Sequence, residues 1–489
     1  MIRHSAPQQA RSLRRDYLGS PPIGPVAVRE RASVLVGLLW CLALLSVIVI
    51  GLLRSARLDL LVVKNHGDQI QAHYLAVAGI EKAKALLYRD AAERKKSARN
   101  HSGELFDAPQ HFKDVQLGRG QFRVFRQGRQ DEGGGILYGV SDEESRLNVN
   151  QASAEELAKL PGIAPEIVAA IMDWRDEDNA VTPGGAEAEY YASMQPPGLP
   201  RNGPLQTARE LLMVRGVSRE AFLGEDANQN GLLDPEEDDG NESFPPDNRD
   251  GILDAGWSGI VTVDSAVRNK NAAGQDRVNV QTADEKSLAA VTGISADLAK
   301  AIVAYRGQSQ LQNLADLLEV TPLNSQAAQT GNRNPSGQGT PQSSANSPPP
   351  KSAAETAGPK LISEKLLMEI ADDLMAGNAS EDQPGAININ TASAEVLACL
   401  PGITPELAQA IIAYRKSAGF FANIAWLLKV DGMRRPIFKG IAPRVCARSE
   451  TFRILSEGRV SSTGARKRIQ VIVQLGASDI ETLSWREDL

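Results

Sequence analysis

One stretch of the sequence sets oxygen donors at the spacing of a cation-binding loop. Asp226-Ala-Asn228-Gln-Asn230-Gly231-Leu232-Leu-Asp234-Pro-Glu-Glu237 puts side-chain oxygens at loop positions 1, 3, 5, 9 and 12 and glycine at 6. A calcium loop needs this pattern: hard oxygen ligands, a sharp turn at glycine, and a backbone carbonyl at position 7, here from Leu232. A poorer element follows, Asn248-Arg-Asp250-Gly251-Ile-Leu-Asp254. It reads as a second weak calcium loop or as a sharer of ligands with the first. A solvated Asp/Asn/Gly turn has the same composition, but the completeness of the first spacing favours a structural Ca2+ there. No catalytic chemistry stands out: there is no Ser/His/Asp grouping, no hydrolase metal motif and no Gly-rich phosphate loop. Asp142-Glu143-Glu144 reads as a solvated turn rather than an acid/base pair. Five histidines without ligand spacing give no zinc signal. Of three cysteines, Cys41 lies in an apolar run, and Cys399 and Cys446, the only conceivable pair, read more readily as small buried apolar residues.

The elements that would carry such loops come from a repeat. Leu147-Asn-Val-Asn-Gln-Ala-Ser followed by Leu160-Pro-Gly-Ile163 returns as Val278-Asn-Val-Gln-Thr-Ala with Val291-Thr-Gly-Ile294, and as Ile387-Asn-Ile-Asn-Thr-Ala-Ser with Leu400-Pro-Gly-Ile403. Each copy closes on an aromatic and an arginine: Trp174-Arg175, Tyr305-Arg306, Tyr414-Arg415. The uneven spacing excludes a solenoid and suggests one small helical module used three times. Capping boxes are expected at Ser153/Glu156 and Thr282/Glu285. Gly162, Gly293 and Gly402 suit left-handed turns between two short helices. An insertion from Asp176 to Pro204 separates the first copy from its third helical segment.

The ends of the chain read differently. A basic, Pro-containing leader precedes the apolar run Ser33–Leu53, which is long enough to span a bilayer. Its arginines should keep the N-terminus cytoplasmic. Helical periodicity continues through Leu58, Leu61, Val62, Ile70, Tyr74, Val77, Ile80, Ala83 and Leu87. Strands are expected at Gly120–Arg126, Ile136–Val140, Ser449–Leu455 and Lys467–Leu475, the last two as a hairpin. Residues 324–360 are rich in Ser, Gln, Asn, Pro and Gly and read as a disordered linker. The net charge of −7 argues against a general nucleic-acid binder.

Three resemblances follow from these residues. The repeated hairpin resembles the helix-hairpin-helix motif. DNA-binding members present a Gly-hydrophobic-Gly turn to phosphate, whereas here the second glycine is Ala164, Ser295 or Thr404, followed by Glu166, Asp297 or Glu406. The segment Arg31-Ala32-Ser33-Val34 before the apolar run resembles a type IV prepilin leader, which implies cleavage between Ala32 and Ser33 by a prepilin peptidase. The whole arrangement is similar to the minor pseudopilin K family of type II secretion systems, which lacks the glutamate that most pilin-like subunits carry at mature position 5; here Gly37 stands there. The implied fold is α+β: a pilin-like long helix and antiparallel sheet with a large inserted α-helical domain of helix-hairpin-helix (SAM-like) modules. The expected layout is leader 1–32, membrane helix 33–53, helix continuation and first strands 54–146, modules at 147–225, 278–323 and 361–435, acidic loops 226–277, linker 324–360, and C-terminal strands and tail 436–489. The resemblance implies a non-enzymatic tip subunit in the inner membrane, its bulk periplasmic. Implied partners are minor pseudopilins I and J, other secretion components and membrane lipid, with no nucleic acid. A membrane-anchored helix-hairpin-helix DNA-binding protein of competence type is the alternative, and a calcium-regulated adhesin is a third.

Overall fold

A computed structural model describes residues 30–100, 103–229, 231–322, 360–377, 382–477 and 479–487. The leader, most of the linker and Asn230 lie outside the described residues, as do the side chains of Ala32 and Ser33. The chain divides into two units at His66/Gly67. Helix α1, Glu30–Ser97, passes from one into the other. From Val34 it is long and apolar enough to cross a membrane, and its large side chains there are exposed.

Within the second unit, the remainder of α1 lies on an antiparallel sheet. Its five main strands are β1 (Val115–Leu117), β2 (Gly120–Gln127), β3 (Thr451–Val460), β4 (Arg466–Leu475) and β5 (Ile480–Arg486), paired in that order. Two-residue segments add Ile136–Leu137 to β2 and Ser141–Asp142 to β3. The expected hairpin is β3–β4, which pairs Thr451 with Gln474 through to Arg459 with Arg466. Ile136–Val140 forms only the first two residues of the expected strand, and β5 was not foreseen.

The face that α1 buries differs from the one its bulkiest side chains suggest. Ala72, Leu75, Ala76, Ile80, Ala83 and Leu87 are buried, whereas Ile70 and Tyr74 are 46% and 66% exposed. Close approach decides this. A Cβ on Gly458 would stand 2.0 Å from the Ala72 carbonyl, and one on Gly79 would stand 2.2 Å from Ser456 Oγ. Only small residues let helix and sheet meet at that distance. Val124, Ile454, Ile469 and Val471 complete this core.

The three modules occupy the chain between β2 and β3 and share one hydrophobic core running from Leu147 to Ala447. Each begins with a two-residue strand that pairs in parallel with a strand further on: Leu147–Asn148 with Val261–Thr262, Val278–Asn279 with Leu374–Met375, and Ile387–Asn388 with Val445–Cys446. These closures redraw two boundaries. The helix Glu364–Ile370, expected to open the third module, leads into the strand that closes the second. The acidic loops lie inside the first module, before its closing strand at Val261.

Candidate functional site: the hairpin modules and the acidic loops

The repeated residues hold each module to itself. The first asparagine accepts the N–H two residues on: Asn148 from Asn150, Asn279 from Gln281 and Asn388 from Asn390, at 2.8–2.9 Å. The second polar residue accepts from a distant backbone N–H, Leu205, Leu311 and Phe421 respectively. The arginine ending the second helix donates to the carbonyl between those two positions: Arg175 to Val149, Arg306 to Val280 (3.0 Å) and Arg415 to Ile389 (3.1 Å). These side chains satisfy buried backbone groups that would otherwise lack partners.

Gly162, Gly293 and Gly402 have φ of 68°, 96° and 71°, the left-handed conformation expected. The helix after each turn would offer N–H groups to a phosphate, yet Ser295 and Thr404 fill that place by accepting from Leu298 N and Leu407 N. Glu166, Asp297 and Glu406 occupy the first helical turns. The Thr404 hydroxyl, followed by its own backbone N–H, holds the Glu406 carboxyl below its usual range. Anion binding is therefore opposed by an occupied cap in the second and third modules and by like charge in all three. The Ser153/Glu156 capping box forms. The one at Thr282/Glu285 does not, because Asp284 caps that helix by accepting from Ser287 N.

The first acidic loop gathers its donors. Asp226 Oδ2 accepts from Gly231 N at 3.2 Å, Asn228 Nδ2 donates to Asp234 Oδ2 at 2.9 Å, and Glu237 Oε2 accepts from Asp234 N at 3.1 Å. Glu237 is 4% exposed, and its Oε1 is buried without a hydrogen-bond partner. Burial, then repulsion from Asp226 and Asp234, pushes its carboxyl up to about 7. Leu232 packs with Phe125 of β2 and Leu455 of β3, seating the loop on the sheet.

In the second loop Asn248, Asp250 and Asp254 are exposed and accept the N–H groups of Asp250, Ile252 and Gly256. Glu225, which has no place in the spacing, takes a central position: its carboxylate accepts from Asn248 N at 3.2 Å and Asp254 N at 2.9 Å. Asp238 accepts from Gly251 N at 3.2 Å. The two loops are thus one acidic unit joined through Glu225 and Asp238. Only adjacency to Asp226 could have marked Glu225 in advance.

Asp142, Glu143 and Glu144 are buried rather than solvated, correcting the sequence reading. They join sheet to modules. Asp142 accepts from Asn388 Nδ2 (3.1 Å), Thr391 Oγ1 and Ser449 Oγ. Glu143 pairs with Arg453 at 2.6 Å. Glu144 accepts from Thr451 N, and burial, then Asp142, raises its carboxyl well above the usual range. Cys399 and Cys446 are free and buried.

An antiparallel sheet packed on the C-terminal part of a long N-terminal helix, with helix-hairpin-helix modules inserted between two of its strands, is the architecture of the described residues. A family model described as type II secretion system protein K matches residues 137–223, and a helix-hairpin-helix model matches 274–332 and 383–446. Type II secretion system protein K of Klebsiella pneumoniae is 29% identical over 210 residues, 39% of this chain and 59% of that protein. ComE operon protein 1 of Bacillus subtilis (strain 168) is 44% identical over 55 residues, 11% of this chain and 27% of that protein. A solved structure titled as the GspK-GspI-GspJ complex of the enterotoxigenic Escherichia coli type 2 secretion system aligns with 88% of this chain and 98% of that one, at 13% identity and a TM-score of 0.35. Over these stretches the chain resembles type II secretion system protein K, and the match spans about 59% of the length of the Klebsiella protein.

Proposed function

We propose that this chain is a minor pseudopilin at the tip of a type II secretion pseudopilus, anchored by its N-terminal helix in the inner membrane and nucleating assembly for export. The observation that carries this reading is the placement of three modules between β2 and β3 of a pilin-like sheet. Such an insertion is difficult to repeat along a packed filament but is tolerated at its end. Gly37 supports the same position, because a subunit without a carboxylate in the membrane cannot pair with a neighbour's amine ahead of it. The role is non-enzymatic: a prepilin peptidase removes the leader before Ser33, and the head binds minor pseudopilins I and J. The test is co-purification of the full chain in detergent with those two subunits. A stable ternary complex is expected; elution of the folded chain alone at micromolar concentrations refutes the assignment.

We further propose that the Asp226–Glu237 loop holds Ca2+. The orphaned, buried Glu237 Oε1 beside Asp226 and Asp234 fits a hard divalent cation, which would keep all three ionised. Chelation should lower the melting temperature of the wild type by more than that of Glu237→Gln. The short match to ComE operon protein 1 favours a second reading, DNA binding by the hairpins. A gel shift at graded salt decides: tight binding that weakens steeply with salt would support that reading against the first.

A further inference from the structure

One end of the sheet carries basic charge that the fold leaves unneutralised. The β1–β2 turn presents Arg119, and the β3–β4 hairpin closes over Arg459 and Arg466; all three are exposed. Arg459 and Arg466 stand directly opposite each other in the register of the two strands. Like charges so placed destabilise a sheet, and an anion lying over them relieves the repulsion. The rung next inward on the same face is balanced. There Glu457 opposes Arg468 and Arg123 and pairs with them at 2.7 and 3.0 Å. Among the described residues Arg119, Arg459 and Arg466 form no ion pair. Asp114, exposed nearby, accepts from Gln121 Nε2 at 3.3 Å instead.

This end of the sheet is fastened to the start of the second unit. Thr463, in the β3–β4 turn, donates from Oγ1 to Asp68 Oδ2 at 2.9 Å. Arg119 donates to Gln71 Oε1 at 3.0 Å, and its carbonyl accepts from Ser461 N at 3.4 Å, which joins the two turns. The unit begins at Gly67, and the exposed large apolar side chains of α1 run to Val63, four residues earlier. The unneutralised arginines are thus gathered where the chain arrives from its apolar segment. Leu117, two residues before Arg119, is 51% exposed, and Ser461 and Ser462 are exposed beside Thr463.

We propose that this end of the head docks on anionic phospholipid headgroups of the bilayer that α1 crosses. The inference rests on the reading of α1 as a membrane anchor. The planar guanidinium fork matches two phosphate oxygens, and the serine hydroxyls add donors. Leu117 supplies the apolar side chain that such a surface takes up at the boundary between headgroups and acyl chains. Zwitterionic lipids balance their own phosphates with ammonium groups, whereas phosphatidylglycerol does not. Each arginine near an anionic surface favours association by about fivefold, so three favour the docked state by roughly a hundredfold.

The test places the full chain, without other secretion subunits, in nanodiscs of phosphatidylcholine alone or mixed with phosphatidylglycerol. A bimane label at Ser462→Cys, in a Cys41→Ala background, is read against lipids spin-labelled at the headgroup. Strong quenching is expected in the mixed discs and weak quenching in phosphatidylcholine alone. The difference should vanish at about 1 M salt, where the Debye length falls to about 3 Å. Arg119→Gln/Arg459→Gln/Arg466→Gln should remove it without lowering the melting temperature. Arg466→Gln alone, at an exposed residue without an ion pair, should weaken docking about fivefold and serves where the triple variant fails to fold. Equal quenching in the two lipids, or quenching unchanged in the folded variants, overturns the proposal. Equal quenching together with loss of co-purification with pseudopilins I and J in the triple variant marks a protein-docking face and overturns it too. A chain that enters neither kind of disc refutes the anchor and the docking with it, whereas one that enters both without a lipid difference refutes the docking alone.

Discussion

Replacing the arginine that ends each second hairpin helix tests whether the repeat is held together as described. Arg415 is 8% exposed and donates to Ile389 O at 3.1 Å and Ala392 O at 2.8 Å, and it pairs with Asp131 at 3.1 Å. Arg415→Met keeps the stem, leaves two buried carbonyls without this donor, and leaves Asp131 paired with Arg129 alone. Each hydrogen bond from a charged donor is worth about 1.5–3 kcal/mol, so the two carbonyls account for about 3–6 kcal/mol. Relief from desolvating the guanidinium, which already lowers its pKa, offsets part of this. The net loss should be roughly 3–5 kcal/mol, or roughly 3–6 °C in melting temperature for a unit of this size. Arg306 occupies the same place in the second module but is half-buried and makes one such bond, to Val280 O at 3.0 Å. Arg306→Met should therefore cost only about 1–2 kcal/mol. Denaturant unfolding of the full chain, with hydrogen exchange at the 387–392 amides, measures both. Equal losses at the two positions, or a loss below about 1 kcal/mol at Arg415, would refute the assignment of these arginines as pins.

Glu144 holds a proton in the native state that the unfolded chain releases near 4.5, so it makes stability fall as pH rises above that value. Glu144→Gln should flatten this slope and leave the protein at least as stable at pH 7, which thermal melts across pH 4–8 will show. Gly402→Ala meets only ordinary contact, with Ile437 Cγ2 at 3.6 Å, and should cost about 1 kcal/mol through its φ of 71°. Gly293→Ala adds a 3.0 Å approach to Ile370 Cγ2 and should cost more in the same denaturation assay. Replacing 323–359 with a Gly/Ser linker about one-sixth as long should stabilise the fold by roughly 1–2 kcal/mol. The ends of that segment already meet: Leu361 N donates to Val320 O at 2.9 Å, and Lys360 pairs with Glu319 at 2.8 Å.

The repeat was legible because its residues are fixed by local demands. An Asx turn needs asparagine, a left-handed turn needs glycine, and the two requirements recur at constant separation. The sheet strands were legible from alternation at both ends of the intervening modules. The helix register was not, because Ile70 and Tyr74 carry the apolar signal while Gly79, Gly458 and the alanines carry the packing. Nor was the burial of Asp142–Glu144, which depends on partners such as Asn388, Ser449 and Arg453, all more than 200 residues away. Glu225 escaped for the same reason: its donors, Asn248 N and Asp254 N, are set by folding, not by a fixed interval.

The closing strands explain how the head carries so much added chain. In each module the backbone N–H after the first asparagine reaches the closing strand in the same way: Val149 N to Thr262 O, Val280 N to Met375 O and Ile389 N to Cys446 O. Everything between an opening and a closing strand is free to lengthen as long as those bonds and the arginine survive. The 176–204 insertion, the acidic loops and the linker all fall inside such brackets. The head is nonetheless tied to the sheet, among other places, by Asp142 gripping the third module through Asn388 and Thr391 and by Leu232 seating the first acidic loop between Phe125 and Leu455. A change in the acidic loop therefore bears directly on the β2–β3 pair, whereas a change in the linker meets no such contact at its described ends.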